Sequence, residues 1–254
     1  MQARKKIRVE VHFTPSEIDD MALKDKNVVV IDVLRASTTV ATALHNGAKE
    51  IIPVNSIENV IKISSNLFGD VTLRAGERNG KMIEGFNLGN SPLEYTAKMI
   101  KGKSIILMTT NGSMAIVKGK HAKNLVVAGF INLGLAVRFL TALQEDIVIV
   151  CSGKDNTFCI EDAVCAGRIV NDLTDAMNGE VVIDDAGNAA TMLDKSAGKN
   201  LLRLLKNSEH GQYLTSIGFG EDLKACAELD SIPVLPVLSG NILRPAKEPI
   251  KRAT

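Results

Sequence analysis

Acids, bases and hydroxyls recur in this 254-residue chain at one kind of place, immediately after a short apolar run. The clearest case is Val28-Val29-Val30-Ile31, followed by Asp32, then Arg35 three residues on, then Ser37, Thr38 and Thr39 in a row. The apolar run reads as a fully buried strand, and Val40-Ala41-Thr42-Ala43-Leu44 as the helix after it. A strand-to-helix junction offers free backbone N–H groups and the positive end of a helix dipole. Asp32 there could hold a metal, Arg35 could fork onto a phosphate or sulfonate, and the hydroxyls could donate to the same anion. The same residues also suit a plain structural role, with Ser37 or Thr38 capping the helix and Asp32 paired with Arg35. This segment alone leaves both readings open.

Two further segments repeat the plan. Ser104–Met108 leads into the loop Thr109-Thr110-Asn111-Gly112-Ser113, a helix near Met114–Lys118 and a return strand at Leu125–Ala128. Ile147–Val150 leads into Cys151-Ser152-Gly153-Lys154-Asp155-Asn156-Thr157 and a helix near Glu161–Leu173. The first unit likewise returns in a strand over Glu50–Val54. Strands alternating with helices imply parallel pairing with right-handed crossovers, so all three polar loops should emerge at carboxyl ends of strands, where open α/β sheets place ligands. The expected fold class is α/β, a layered α/β/α arrangement on a largely parallel or mixed sheet. Residues 1–254 are expected to form a single domain, the alternative being two packed lobes divided near 100–130.

Glu161 and Asp162 open the third helix. Acids in a first turn are ordinary partners of the helix dipole. Together with Asp32 they would also suit Mg²⁺, which takes few protein ligands and keeps positions for water and phosphate. Arg35, Arg78 and Lys154 could then neutralise a substrate's anionic oxygens.

Between the first two units lies a stretch rich in glycine and asparagine, from Arg74 to Glu94, which reads as a long loop. Ser91-Pro92-Leu93-Glu94 inside it has the form of a helix N-terminus, with Ser91 as cap and Glu94 at the capping-box position. The last quarter reads as helical to about Leu229, followed by an edge strand over Ser231–Leu238, since proline cannot join a central ladder. The tail from Arg244 is basic and expected to be mobile.

The composition excludes several partners. The chain carries 30 Lys and Arg against 29 Asp and Glu, with no Trp and two Tyr. Such balance predicts neither a nucleic-acid surface nor an anionic membrane. No apolar run approaches the roughly 20 residues of a membrane span, and the basic N-terminus lacks the apolar region of a signal peptide. Cys151, Cys159, Cys165 and Cys226 form no C-x-x-C pair and read as reduced thiols. These features predict a cytoplasmic protein, with a homo-oligomer as the default state.

Spacing also excludes chemistries. Ala97–Ser104 nearly spells a P-loop, but it follows a helix pattern and opens a strand, the reverse of what a P-loop requires. Leu34 stands where an aspartyl-phosphate enzyme of the haloacid dehalogenase type needs a second Asp. No cysteine has an Arg six residues on, and neither H-E-x-x-H nor G-x-S-x-G occurs. The four histidines, His12, His45, His121 and His210, are scattered and read as surface or core residues.

Five blocks, in order and spanning nearly the whole chain, carry a resemblance. They are Ile31–Thr39, Ala75-Gly76-Glu77-Arg78, Gly85–Pro92, Thr109–Ser113 and Cys159–Gly167, with a weaker one over Asp222–Ala227. The chain resembles the Mg²⁺-dependent 2-phosphosulfolactate phosphatases of coenzyme M biosynthesis. The resemblance implies hydrolysis of (2R)-2-phospho-3-sulfolactate to 3-sulfolactate and phosphate, a requirement for Mg²⁺, and an α/β topology particular to the family. On the matched positions, Asp32, Glu161 and Asp162 are expected to hold Mg²⁺. Arg35 and the N–H groups of Ala36–Thr39 are expected to stabilise the phosphoryl oxygens. Arg78, Asn111 and Ser113 are expected to hold the sulfonate and carboxylate. Glu77, Gly112, Ser152 and Lys154 complete the expected substrate-binding set with Ser37, Thr38 and Thr39. The competing expectations are a phosphatase for another phosphorylated hydroxy acid and a non-catalytic anion binder.

Overall fold

The computed structural model describes residues 6–19, 21–66 and 71–246. The strands are β1 (Ile7–His12), β2 (Asn27–Ile31), β3 (Glu50–Val54), β4 (Thr72–Arg78), β5 (Lys81–Met82), β6 (Ser104–Met108), β7 (Asn124–Ala128), β8 (Ile147–Cys151), β9 (Val181–Ile183), β10 (Pro236–Ser239) and β11 (Ile242–Pro245). The helices are α1 (Ala36–His45), α2 (Ile57–Asn66), α3 (Ala97–Ile100), α4 (Gly112–Lys118), α5 (Leu133–Leu143), α6 (Ile160–Ala176), α7 (Asp185–Ala197), α8 (Leu201–Asn207), α9 (Glu209–Ser216) and α10 (Asp222–Cys226).

All eleven strands join one mixed sheet in the order β5-β4-β6-β3-β11-β10-β7-β2-β8-β1-β9. The three strand–loop–helix units of the sequence are all present. β2 pairs in parallel with β7 and β8, and β3 with β6. Every residue of β2, β3, β6 and β8 is buried, as both-face covering by helices demands. Alternate residues of β2 serve opposite layers. Val29 and Ile31 pack with Leu140 of α5 and Ile169 and Leu173 of α6. Val28 and Val30 pack with Val40 and Leu44 of α1 and Ile116 of α4. Each such side chain contributes about 1.5–3 kcal/mol by leaving water. A third cluster sets Val60 of α2 against Ile52 and Ile106.

Four features differ from the sequence expectation. The stretch from Arg74, which reads as loop, opens inside strand β4, paired in parallel with β6 from Thr72 opposite Ser104 to Gly76 opposite Met108. Its side chains are too mixed to show a periodicity, and its register comes from the buried neighbour. A Cβ on Gly76 would fall 1.9 Å from the Met108 carbonyl oxygen, so only glycine allows that approach. The proline-bearing strand is central, not an edge. β10 lies between β11 and β7, meeting β7 at Val237 opposite Val126. The prolines stand at the ends of the hairpin, Pro236 opposite Pro245, where a missing N–H breaks no ladder bond. Arg244, taken as part of a mobile tail, belongs to β11 and pairs with Glu50; the expected tail beyond Ala246 lies outside the described residues. Finally, Ser91 holds the expected cap position, before a 3-10 turn over Pro92–Glu94, but its hydroxyl donates to Asp222 instead of to that turn, while Glu94 accepts the Gly89 N–H.

Candidate active site

The carboxyl ends of β2, β4, β6 and β8 converge on a cavity of about 240 Å³. Its lining includes Asp32, Arg35, Glu77, Asn90, Asn111, Lys154, His210 and Tyr213. That volume is below the roughly 300–1,000 Å³ of pockets for drug-sized ligands, so the occupant is small.

Asp32 sits at the end of β2 with 6% of its surface exposed. Its Oδ1 accepts the Ala36 N–H at 2.9 Å, and its own N–H donates to Ser37 Oγ at 2.9 Å. The junction is therefore self-capped. The Ser37 N–H goes to the Asp32 carbonyl and the Thr39 N–H to the Arg35 carbonyl, so these donors are occupied within the turn, not aimed at an anion. Thr39 Oγ1 donates to the Asn90 carbonyl, and Thr38 Oγ1 approaches that of Val33. All three hydroxyl residues are buried and fasten the helix start. Gly112 at the start of α4 lies against this turn: a Cβ there would fall 2.5 Å from both Asp32 Oδ2 and the Ala36 methyl.

Arg35 pairs neither with Asp32 nor openly with solvent. Its guanidinium is 2% exposed, donates to Asp222 at 2.6 Å and the Gly80 carbonyl at 2.7 Å, and lies 4.4 Å from the Phe219 ring centre. It stands in the cavity wall as a strut joining the β4–β5 hairpin to α10.

Glu161 and Asp162, in the first turn of α6, are both buried but behave differently. Asp162 accepts the Val33 N–H at 2.8 Å and the Gly153 N–H at 3.1 Å, bracing the β2 and β8 loops against α6. Glu161 Oε1 is buried, has no hydrogen-bond partner among the described residues and lies 3.4 Å from His210 Nδ1. Burial pushes the Asp32 carboxyl up to about 6, with Glu77 and Glu161 adding repulsion against the Ala36 N–H and His210. Burial, Asp32 and Glu161 hold Asp162 well above the carboxylate range. For Glu161, burial is opposed by the facing His210, which leaves its carboxyl below the usual value.

The other expected residues scatter in role. Glu77 accepts the Gly80 N–H at 2.8 Å and the Thr110 N–H at 2.7 Å, tying the hairpin to the loop after β6. Arg78, expected at the substrate, is exposed and absent from the cavity lining. Strand alternation turns it away from the face that Glu77 occupies. Ser113 is fully buried and exchanges hydrogen bonds with Thr109, closing the start of α4. Asn111 borders the cavity while its Oδ1 accepts the Asp155 N–H. Lys154 also borders it, bridged to Glu209 at 3.0 Å and 5.4 Å from the Tyr213 ring centre. Ser152 is buried with an unpartnered hydroxyl and faces a smaller neighbouring hollow.

His210, read as surface or core, lines the cavity, as do Asn90 and Tyr213. Ser208 caps α9 by accepting the Gly211 N–H, and Gly211 lets that helix press against the Leu205 carbonyl, where a Cβ would fall 1.7 Å away. This tight elbow turns His210 toward Glu161. A serine followed by glycine three residues on is its one local signal.

Buried carboxylates facing amide and cationic side chains across a small strand-end cavity define an α/β protein that handles a small anion. The model of the 2-phosphosulpholactate phosphatase family matches residues 12–241. The chain belongs to that family and is a phosphatase, a phosphoric monoester hydrolase. It is 40% identical over 94% of its length to a probable 2-phosphosulfolactate phosphatase of Caldanaerobacter subterraneus, covering 99% of that protein. A relative with the same printed name in Synechocystis is 39% identical, over 91% of this chain and 95% of its own. One in Symbiobacterium thermophilum is 38% identical over 90% and 96%. Among the described residues, no helix is long and apolar enough to cross a membrane.

Proposed function

We propose that this chain hydrolyses (2R)-2-phospho-3-sulfolactate to (2R)-3-sulfolactate and phosphate in a Mg²⁺-dependent reaction, in the cytoplasm, as a step of coenzyme M biosynthesis. Family membership supports the substrate, and the cavity supports the chemistry. The observation that carries the metal is the buried carboxylate set. Asp32, Glu77, Glu161 and Asp162 are all under 8% exposed, Asp32 and Asp162 are pushed up in pKa, and Glu161 Oε1 is unpartnered. Such a set lacks positive charge and fits a hard divalent cation, which needs only one or two carboxylates beside water and phosphate. Asp32 and Glu161 would hold it; Asp162, with both oxygens on backbone N–H groups, fixes the loops that present them. Bound there, Mg²⁺ would polarise the phosphoryl group.

The reaction breaks the bond between phosphorus and the C2 oxygen and transfers the phosphoryl group to water. Lys154 supplies positive charge at the cavity wall, and Asn90 and Asn111 supply amide donors for the carboxylate and sulfonate. Arg35, paired with Asp222, fixes the wall itself by holding the β4–β5 hairpin against α10. The deciding assay is phosphate release from phosphosulfolactate with Mg²⁺ and with excess chelator, beside phospholactate and p-nitrophenyl phosphate. Release that needs Mg²⁺ and prefers the sulfonate supports the reading. Equal turnover of phospholactate would leave a phosphatase of broader hydroxy acids, and metal-independent release would remove Mg²⁺.

A further inference from the structure

Behind the cavity wall formed by His210, three side chains of different donor chemistry meet. Cys159 is the residue before α6, Glu161 stands in the first turn of that helix, and His210 is the second residue of α9. One ligand atom from each lies within 4.8 Å of the other two. Cys159 and Glu161 are 7% and 1% exposed, and Glu161 Oε1, which faces His210, has no hydrogen-bond partner among the described residues. The 3.4 Å between Glu161 Oε1 and His210 Nδ1 is long beside the roughly 2.7–2.9 Å of a charge-assisted hydrogen bond. It matches a tetrahedral edge instead, since two donors each about 2.0–2.1 Å from one Zn²⁺ lie about 3.3 Å apart.

We propose that Cys159 Sγ, Glu161 Oε1 and His210 Nδ1 form a binding site for a borderline divalent cation, Zn²⁺, with its fourth position open. The donors decide the metal. Mg²⁺ takes oxygen ligands and gains little from a thiolate or an imidazole, whereas Zn²⁺ binds sulfur, nitrogen and carboxylate oxygen together. Three protein ligands with one vacancy is the pattern of zinc sites that exchange water or substrate, and His210 puts that vacancy beside the cavity. On binding, the Cys159 thiol releases its proton to solvent as the metal–sulfur bond forms, and the imidazole binds in its neutral form. Glu161 is shared with the proposed Mg²⁺ position, so Zn²⁺ competes there and inhibits Mg²⁺-supported turnover. Zinc binding itself does not depend on the phosphatase reading.

The test titrates the chelator-stripped full-length protein with Co²⁺, a spectroscopic stand-in for Zn²⁺. The expected result is one equivalent bound, with visible bands of a four- or five-coordinate ion and a near-ultraviolet sulfur-to-cobalt charge-transfer band. Zn²⁺ should bleach these bands, and a large excess of Mg²⁺ should not. Cys159→Ser, which nearly preserves shape, should remove the charge-transfer band, while Cys226→Ser keeps it. His210→Gln should weaken Co²⁺ binding by about 10-fold or more, the scale on which even outer partners of a metal act. Circular dichroism of each variant establishes that it is folded. Absence of a charge-transfer band in the wild type, or its survival in folded Cys159→Ser, overturns the site. Either result leaves the phosphatase assay free to stand or fall separately.

Discussion

Replacing Asp222 by alanine strips the Arg35 guanidinium of its ion partner while leaving it 2% exposed. Breaking a buried pair on one side costs about 3–5 kcal/mol, because the remaining charge stays out of water without compensation. The Ser91 hydroxyl, which donates to the other Asp222 oxygen at 2.7 Å, loses its acceptor as well, adding about 1–3 kcal/mol. The Gly80 carbonyl and the Phe219 ring still hold the guanidinium, so the lower part of the combined range, about 4 kcal/mol, is expected. That is a large share of the roughly 5–15 kcal/mol by which a native protein is stable. Urea denaturation followed by circular dichroism, at unchanged m-value, measures it. The double variant Arg35→Met, Asp222→Leu should recover most of the loss, since both charges are then gone. Its turnover should stay low, because the β4–β5 hairpin loses its strut. A loss below about 1 kcal/mol for Asp222→Ala, or a double variant as unstable as the sum of singles, would refute a desolvated pair as the source of the stability.

Gly112→Ala should displace Asp32, whose Oδ2 would lie 2.5 Å from the new methyl. Turnover should fall by about 100-fold for a stability loss of about 1–3 kcal/mol, checked by steady-state kinetics beside a melting curve. Lys154→Ala should raise KM while changing stability by under about 1 kcal/mol, because its partner Glu209 is 91% exposed. Glu77→Gln should lower kcat/KM, since one of its two N–H contacts then meets an amide donor, and stability should drop by about 1–3 kcal/mol. Burial opposes ionisation of Glu50, but Arg244 and Ser104 prevail and hold its carboxyl below the ordinary value of 4.5. Its stabilisation is therefore present above 4.5 and lost as the pH falls through the depressed native value. Glu50→Gln should destabilise the protein at neutral pH and match wild type in acid.

Where a residue's role is decided locally, the sequence disclosed it. Val28–Ile31 cannot be anything but buried, and Asp32 follows at the strand's carboxyl end whatever else the chain does. Roles decided by distant partners were hidden. Arg35 reads as an anion ligand in the sequence, and the ion partner that the fold gives it, Asp222, lies 187 residues away. Ser91 has the form of a cap, yet its hydroxyl goes to that same aspartate. The hydroxyls of Ser37, Thr38 and Thr39 were legible as polar but not as satisfied, since that depends on which carbonyls the fold brings near. His210 carried no motif, only a capped helix start whose direction the elbow with α8 sets. β4 is not legible in the sequence because its neighbour, and not its own periodicity, makes it a strand.

The β10–β11 hairpin sits between two parallel blocks, β4-β6-β3 and β7-β2-β8-β1-β9, although its strands come after all the others among the described residues. Asp32 hangs from one block, whereas Glu77 and Thr110 hang from the other. Synthesis delivers the hairpin after every one of those residues, so the two blocks gain their shared ladder last, where β10 meets β7 and β11 meets β3. Until then α1 and α4, which touch strands of both blocks, are what hold the two sides of the cavity together.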